Sequence, residues 1–401
     1  MGDAEARPED LSPAREAVPL AATVLNLVNF RSYARGVIAV EAAPVVLAGA
    51  NGTGKTNLLE AISLLSPGRG LRGAKLADLQ RKAPLGAEPA SGAFADSLWA
   101  VSATIARPDG NWEIGTGLTH PAQADSRAAR TLHLNGAPAA SADLAELVPM
   151  LWLTPSLDRL FLEGAGDRRR FLDRLVFGLD SAHARRTARY ERAMQERLRL
   201  LRDGVRDPVW LDGLEETMGE TGSEIARARS DATDRLNREL SARGSREGAF
   251  PCATLAMKDG LGDGAAEPET LRKALSASRM RDAESGRTNA GPHTADLDVR
   301  HTGKRADARD CSTGEQKALL VSIVLANAWL QKKRHGGIAP LLLLDEIAAH
   351  LDGIRRAALF EEILALKTQA WLTGTDKALF SSLLPHAQCF SIAHASFLRE
   401  D

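Results

Sequence analysis

The chain has 401 residues, 44% of them apolar and 26% charged, a globular composition with enough apolar side chains for a large core. Lysine and arginine number 51 against 52 acidic residues, which excludes a uniformly basic nucleic-acid binder but not a local basic patch. Aromatic residues make up only 4%, which argues against a surface of stacked aromatics that would grip single strands.

The N-terminal segment and the cysteines indicate the setting of the protein. Residues 1–19 are rich in Ala, Pro and Glu and lack a basic stretch followed by an apolar one, so we expect a mobile tail rather than a signal peptide. Cys252, Cys311 and Cys389 lie far apart, which excludes a disulfide framework and a four-cysteine zinc site. The longest apolar runs are far shorter than the roughly 20 residues of a membrane span. We therefore predict a cytoplasmic protein with no membrane partner.

The first 160 residues contain the patterns of two kinds of sheet. Alternation from Thr23 to Leu27 predicts a short strand. The continuous apolar run Val45–Ala48 is typical of a strand buried on both faces of a parallel sheet, and a helix is predicted after it from Asn57 to Leu65. Alternating stretches between Trp99 and Leu134, closed by Asn135-Gly136, predict an antiparallel sheet beside the parallel one.

The middle of the chain is predicted to be helical from about Asp167 to Ala242, and the last third returns to α/β. A short heptad-like stripe with small and polar members predicts a helical hairpin or arm rather than a long coiled coil. The stripe consists of Leu214, Met218, Thr221, Ile225, Ala228 and Ala232. In the last third we predict a helix from Ser312, a buried strand at Leu341–Leu344 and a strand at Ala370–Leu372.

A glycine-rich turn after the first buried strand matches the pattern G-x-x-x-x-G-K-[ST]. Its backbone N–H groups and the following helix N-terminus would cradle phosphates, Lys55 would reach the β- and γ-phosphates, and the Thr56 hydroxyl would ligate Mg2+. We therefore predict a nucleotide with Mg2+ as the cofactors, and the family resemblance described below implies that the nucleotide is ATP. The predicted nucleotide contacts in this segment are Gly49, Ala50, Asn51, Gly52, Thr53, Gly54, Lys55, Thr56 and Asn57.

Two carboxylates follow the buried strand Leu341–Leu344. Acidic groups at the end of such a strand are costly unless they bind something. Asp345 is predicted to hold Mg2+ together with Thr56, and Glu346 to orient the attacking water as general base. With Lys55 these are the predicted catalytic residues. About 290 residues separate Lys55 from Asp345, so we predict that the helical segment is an insertion in a P-loop domain.

The segment Ser312–Lys317, at a predicted helix start, resembles the S-G-G-E-Q signature of ABC-type ATPases. In that family the signature caps the γ-phosphate bound by the opposite subunit. The resemblance implies an ATP-dependent head-to-tail homodimer with nucleotide contacts from Ser312, Gly314 and Gln316. The same segment can form an ordinary helix N-terminus, with Glu315 completing a capping box.

Two further segments resemble elements of the same family. Ile347–Asp352 looks like the D-loop, with Asp352 at the position that meets the partner subunit, although a simple helix cap is the alternative. Thr375-Asp376 occupies the region where transporter-type members have a switch histidine. Thr375 is therefore the predicted contact to the γ-phosphate, with Asp376 as the other possibility.

Seven segments together narrow the resemblance from ABC-type ATPases in general to one family. They are Leu27–Tyr33, Gly49–Thr56, Ser66–Arg72, Gly291–His293, Cys311–Lys317, Asp345–Asp352 and Thr373–Asp376. From about Leu25 to its C-terminal end the chain resembles the RecF family, bacterial DNA replication and repair ATPases related to SMC-type heads.

The resemblance implies the fold class and its division into domains. It implies an ABC-type α/β ATPase head, made of a P-loop parallel sheet plus an antiparallel β subdomain, with an inserted α-helical arm domain. We assign residues 1–19 to the tail, 20–160 to the N-terminal part of the head, 161–287 to the arm and 288–401 to the C-terminal part of the head.

The resemblance also implies a function. RecF-like proteins bind ATP, dimerise, bind double-stranded DNA near gaps or junctions and hydrolyse ATP slowly, and we expect a weak, DNA-dependent ATPase. They act with RecO and RecR to help load RecA onto gapped DNA. A cytoplasmic, nucleoid-associated repair protein is therefore expected.

The chain departs from the family pattern at one position, and the sequence does not assign the glutamine of the Q-loop. Thr294 stands where the family usually has an arginine after Gly-Pro-His, which puts the role of that arginine in doubt here. The glutamine of the Q-loop could be Gln80 or Gln123, and neither lies in a convincing context.

An arginine-rich stretch is the candidate DNA contact. Eleven arginines stand against four acidic residues between Arg168 and Arg202, and phosphate contacts would use such side chains. A solvated arginine-rich helix face is the alternative. The named DNA-binding candidates are Arg168, Arg169, Arg170, Arg69 and Arg72.

Three other functions compete with this interpretation. A transporter ATPase subunit would need a switch histidine and a chain without such an arm. An SMC-like structural clamp or scaffold, with incidental turnover, would keep Glu346 and is hardly separated by the sequence. An overcoming-lysogeny-type ATPase–nuclease would need an acidic nuclease module after the head, for which the chain has no room.

Overall fold

The computed structural model describes residues 18–82, 97–119, 130–141, 143–204, 207–244, 249–258, 267–393 and 395–400. A mixed sheet forms the centre of the head. Its strands are β3 (Val45–Ala48), β8 (Met150–Leu153), β12 (Leu341–Leu344), β13 (Ala370–Gly374), β14 (Gln388–Ala393) and β15 (Ser396–Glu400). Their order is β15-β14-β3-β13-β12-β8, and all neighbours are parallel except the antiparallel β14–β15 pair.

An antiparallel sheet lies beside the mixed one. Its strands are β1 (Ala21–Phe30), β2 (Tyr33–Ala39), β4 (Ser97–Arg107), β5 (Gly110–Thr119), β6 (Arg130–Leu134) and β7 (Ala137–Pro138), in the order β2-β1-β4-β5-β6-β7. Asn135 and Gly136 have φ of 48° and 80° and join β6 to β7. The predicted antiparallel sheet and its Asn-Gly turn are both confirmed, because these two residues tolerate the positive φ that such a turn requires.

The helices are α1 (Lys55–Ser63), α2 (Leu144–Leu147), α3 (Ala165–Phe177), α4 (His183–Arg202), α5 (Pro208–Gly244), α6 (Pro268–Ala277), α7 (Arg279–Ser285), α8 (Thr313–Arg334) and α9 (Gly353–Leu366). The helix predicted from Asn57 begins two residues earlier, so that Lys55 and Thr56 occupy its first turn. A third sheet was not predicted: β9 (Ala253–Lys258), β10 (Asp296–His301) and β11 (Ala306–Asp307) pair antiparallel in the order β11-β10-β9.

The four-residue strands are apolar throughout because both faces of the mixed sheet are covered. Leu342 and Leu344 of β12 face a core that includes α3, α8 and α9. Leu341 and Leu343 face a second core shared with α1 and the antiparallel sheet. The sheet is therefore fixed between two layers, and the carboxyl ends of its parallel strands meet at one edge.

A third core holds the helical part of the chain together. Tyr190 of α4, Met218 and Ile225 of α5, and Leu271 of α6 belong to it. Ala232, farther along α5, belongs to the core on the mixed sheet. The predicted stripe is thus one face of a single 37-residue helix that packs into two cores.

The arginines of α4 meet a helix of opposite charge. The first half of α5, Pro208–Ala226, carries five acidic residues and no lysine or arginine. Arg186 pairs with Glu224 at 2.9 Å, and the buried Arg197 pairs with Glu215 at 2.8 Å. Much of the positive charge that the sequence places on α4 is therefore neutralised inside the helical part of the protein.

Among the helices of the described ranges, none combines the length and apolar character of a membrane span.

Candidate functional site

Three neighbouring strands bring the predicted site residues together. The order β3-β13-β12 is parallel, and the Gly49–Gly54 turn follows β3 while Asp345 and Glu346 follow β12. Parallel strands present their carboxyl ends at one edge, which is where α/β sheets place ligands. The two motifs that lie about 290 residues apart in sequence are thus adjacent in the fold.

The turn after β3 has a backbone that only glycine adopts readily. Gly49 and Gly54 have φ of 151° and 112°. A Cβ on Gly49 would lie 2.5 Å from the carbonyl oxygen of Ile392, and one on Gly54 would lie 2.8 Å from the Tyr33 hydroxyl. The glycines therefore let the loop curl tightly ahead of the α1 N-terminus, where unpaired N–H groups favour an anion.

Lys55 lies under this loop. It is 3% exposed, and its Nζ donates to the carbonyl oxygens of Gly49 and Ala50 at 2.6 and 2.7 Å. Burial lowers the pKa of Lys55, while the charges of Glu346 and Asp345 act in the opposite direction. An ammonium that donates to neutral carbonyls at the N-terminus of a helix is well suited to an anionic ligand.

Asp345 is bound by two hydroxyl groups. Thr56 Oγ1 donates to Asp345 Oδ1 at 2.9 Å, and Thr373 Oγ1 donates to the same oxygen at 2.8 Å. Burial raises the pKa of Asp345, and the bonds from Thr373 and Thr56 oppose that rise. A hydroxyl beside a carboxylate is an oxygen donor set that fits Mg2+, which binds proteins through one or two carboxylates and keeps several waters.

Glu346 follows directly, in an unusual backbone conformation. Its φ is 53°, and its amide donates to Thr373 Oγ1 at 2.8 Å. The residue is partly exposed at the edge of the sheet, next to Asp345. Thr373, in β13, was not among the predicted site residues. In the sequence Thr373 opens the Thr373–Asp376 segment of the family resemblance, but nothing in that segment indicates its bonds to Asp345 and Glu346.

An open groove extends from the P-loop across the neighbouring strand end. It is lined by Ser32, by the P-loop residues Gly49–Thr53, and by Ser391 and Ile392 of β14. Asn57 lies nearby and donates to Ser32 Oγ at 3.0 Å. The groove gives space next to the anion site for the remainder of a nucleotide.

The signature-like segment forms the N-terminus of α8. Ser312 is the N-cap, and it and Glu315 form a complete capping box, as the alternative interpretation predicted. Ser312 and Gly314 are exposed. Within the described residues neither forms a hydrogen bond to the P-loop, and a contact to a nucleotide stays a prediction.

Gln316, the third predicted contact in this segment, is turned inward. The residue is 3% exposed, and its amide nitrogen donates to the carbonyl oxygens of Cys311 and Arg309. In this arrangement the side chain supports the turn before α8, and a nucleotide contact by Gln316 stays a prediction.

The other predicted contacts lie on the surface. Asp352 is the N-cap of α9, and its Oδ1 accepts from the Arg355 amide at 2.8 Å. Thr375 is exposed just after β13, and Asp376 accepts from the Ala378 amide at 2.8 Å. The helix-cap alternative for Asp352 is thereby confirmed, and a contact to a partner subunit stays a prediction.

One of the two candidates for the Q-loop glutamine lies on the surface of the described structure. Gln80 is exposed and its backbone pairs with Phe30 in an isolated bridge. Gln123 lies outside the described residues. The Q-loop assignment stays open.

The arginines at the start of α3 are largely engaged within the chain. Arg168 is 7% exposed and forms two 2.8 Å bonds with the Asp296 carboxylate. Arg169 donates to the Ala295 carbonyl, and Arg170, which is exposed, pairs with Asp167. The geometry does not support a DNA contact by Arg168, whose charge joins α3 to β10.

The second arginine pair lies near the P-loop helix. Arg69 is exposed in the turn after α1. Arg72 donates to Asn57 Oδ1 at 2.9 Å and to the buried Glu60 carboxylate at 3.1 Å. Arg72 thus supports Asn57 at the site, and Arg69 has the more accessible charge.

Thr294 closes the turn at the Gly-Pro-His segment. Its Oγ1 donates to the Gly291 carbonyl at 2.8 Å, while Arg229 of α5 donates to the Pro292 carbonyl at 2.6 Å. An arginine from the helical part of the chain therefore binds this segment, although the position after His293 has none.

Comparisons with known proteins agree with this architecture. Residues 22–393 match the RecF/RecN/SMC N-terminal domain family. Two relatives, from Agrobacterium fabrum and Mesorhizobium japonicum, are each 48% identical to the chain. They match 92% and 93% of it and 96% of their own length, and each is a DNA replication and repair protein RecF.

Solved structures show the same fold. The recombination mediator protein RecF-ATPrS in the RecFOR pathway superposes with a TM-score of 0.78 at 21% identity, covering 96% of this chain and all of that one. The Smc head domain from Pyrococcus furiosus gives a TM-score of 0.52 at 17% identity, with 95% and 96% covered. The family match and the 48% identity over nearly the whole chain show that this protein belongs to the RecF family.

Proposed function

We propose that the protein is an ATP-dependent DNA-binding ATPase of recombinational repair and replication restart. The observation that carries the proposal is the convergence of Lys55, Thr56, Asp345 and Glu346 at one sheet edge, with Thr56 and Asp345 2.9 Å apart. The relatives named as DNA replication and repair proteins support the biological role.

The described residues can carry out distinct parts of ATP hydrolysis. Lys55 would exchange its bonds to the Gly49 and Ala50 carbonyls for bonds to the β- and γ-phosphates. Thr56 and Asp345 would hold Mg2+, which when bound neutralises charge on the phosphates. Glu346 would accept a hydrogen bond, and then a proton, from the attacking water.

The nucleotide would also require a second copy of the chain. Ser312, Gly314 and Asp352 lie on the surface at the starts of α8 and α9. The α8 N-terminus would offer its N–H groups to the γ-phosphate held by the partner's P-loop. An ATP-dependent homodimer with two shared nucleotides follows, and Thr375 would approach the same phosphate from within the chain.

Double-stranded DNA at gaps or junctions is the proposed nucleic-acid ligand, with RecR and RecO as protein partners and RecA acting indirectly. Arg69, Arg72 and Arg170 are the candidates with exposed side chains. Neutralisation of α4 by α5 lessens the support for a broad basic surface on the arm.

The first experiment tests the dimer. Glu346→Gln keeps the size of the side chain but removes the base, so the variant should bind ATP without hydrolysing it and accumulate as a dimer. The mass would be measured by light scattering with ATP and Mg2+, with ADP as the control. A Glu346→Gln protein that binds ATP and stays monomeric would overturn the shared-nucleotide model.

The second experiment tests DNA binding. Fluorescence anisotropy of gapped duplex DNA with Glu346→Gln, with and without ATP and at two salt concentrations, should show tightening by ATP and weakening by salt. Absence of binding in every condition would move the DNA contact to a partner protein. The turnover rate of wild type, compared with its lifetime on DNA, separates an ATPase from an SMC-like clamp with incidental turnover.

A further inference from the structure

A single buried hydroxyl joins the two acidic residues of the site. Thr373 is fully buried in β13, between β3 and β12. Its Oγ1 donates to Asp345 Oδ1 at 2.8 Å and accepts from the Glu346 amide, also at 2.8 Å. The hydroxyl therefore uses its one proton on the side chain of Asp345 and a lone pair on the backbone of Glu346.

These hydrogen bonds restrict the orientation of both acidic side chains. Thr56 and Thr373 donate to the same oxygen of Asp345, which fixes the rotation of that carboxylate toward Thr56. Glu346 has a φ of 53°, which residues other than glycine, asparagine and aspartate rarely adopt. The bond from its amide to Thr373 holds that conformation, and with it the direction in which the Glu346 side chain leaves the backbone.

We propose that Thr373 is a positioning residue for ATP hydrolysis, which sets the Asp345 carboxylate for Mg2+ and the Glu346 side chain for the attacking water. The inference rests on the proposed ATPase activity. Thr373 would touch neither the nucleotide nor the water, and its effect passes through its two hydrogen bonds. Partners of this kind in metal sites change affinity or activity about 10- to 100-fold when they are removed.

The chain offers a matched control for a buried threonine. Thr368 is 2% exposed, lies just before β13 and donates to the carbonyl oxygen of Pro340, the residue before β12. Thr373→Val and Thr368→Val thus each remove one buried hydroxyl between the same two chain segments. Only the first removal affects Asp345 and Glu346. Thr373→Ser keeps the hydroxyl and loses only a methyl group.

Steady-state ATPase assays would compare the three variants with wild type. Thr373→Val should lower kcat about 10-fold or more while KM for ATP changes less than about twofold, because the P-loop still binds the phosphates. Thr373→Ser should restore kcat to within about threefold of wild type, and Thr368→Val should leave it unchanged. Thr373→Val with the kcat of Thr368→Val would overturn the inference.

A second measurement does not depend on turnover. The Mg2+ concentration that half-saturates the fluorescence change of a bound ATP analogue should rise about 10-fold in Thr373→Val and stay near wild type in Thr373→Ser. An unchanged Mg2+ requirement would refute the role at Asp345. If wild type binds no ATP at all, the proposed function itself fails. Should Thr373→Val not fold, Thr373→Ala is measured by the same titration.

Discussion

Arg197 is a buried cation on which the packing of the helical part of the chain depends. Its Nε donates to Glu215 at 2.8 Å, its Nη1 to Asp282 at 2.7 Å and its Nη2 to the Leu275 carbonyl at 2.7 Å. The side chains of Arg197, Glu215 and Asp282 are all 0% exposed. The change Arg197→Met keeps much of the side-chain volume and removes only the charge and the donors.

The expected cost follows from what the substitution leaves behind. Glu215 retains Arg279, and Asp282 retains Ser278 and Asn289, but each loses its buried cation. Removing one partner of a buried ion pair costs about 3–5 kcal/mol because the remaining charge is not resolvated. Arg197→Met should therefore destabilise the protein by about that amount.

Arg199→Met is the matched control on the same helix. Arg199 pairs with Glu196 at 2.6 Å, and their side chains are 61% and 43% exposed, so loss of this solvent-screened pair should change the stability little. Urea unfolding followed by far-ultraviolet circular dichroism would give both free energies of unfolding. If Arg197→Met lies within about 1 kcal/mol of Arg199→Met, desolvation cancels the ion pairs and the argument is wrong.

Three further predictions concern the site and its surroundings. Lys55→Met should abolish measurable ATP binding in calorimetry. A charged hydrogen bond contributes about 3 kcal/mol, so the affinity should fall about 100-fold or more, while the melting curve of the protein stays unchanged. Gly54→Ala should also weaken ATP binding, since φ is 112° and the new Cβ would lie 2.8 Å from the Tyr33 hydroxyl; normal affinity would refute this. Burial alone would raise the pKa of Asp173, but bonds from His183 and Arg229 lower it to about 2. A lowered pKa stabilises the fold above about pH 4, and this stabilisation is lost as the pH falls toward 2. The free energy of unfolding of Asp173→Asn should therefore fall less steeply in acid than that of wild type.

The sequence predicted the elements whose signals are local. The apolar run at Val45–Ala48 and the glycine pattern after it define β3 and the P-loop because strand, turn and helix are consecutive. The capping box at Ser312 is equally local, since its partner Glu315 is three residues away. Asp345 and Glu346 also lie directly after the buried strand β12, as the sequence pattern predicted.

Contacts between distant residues could not be predicted in this way. Thr373 binds Asp345, which follows another strand, and the Thr373–Asp376 segment of the resemblance does not reveal that contact. Arg168, a DNA candidate from the sequence, binds Asp296, which lies 128 residues later in the chain and gives no local signal of this contact. The short strand β9 was missed because its partner β10 follows only after α6 and α7.

The packing of α4 against α5 changes what the arginines of α4 contribute to the charge of the surface. A local excess of arginine in a sequence does not measure the electrostatic field outside the folded protein, because acids from a neighbouring helix can cancel it. The helical part therefore presents a mixed surface to approaching polyanions. The field outside this part of the protein is therefore set by the exposed arginines of α4 and the exposed acids of α5 together.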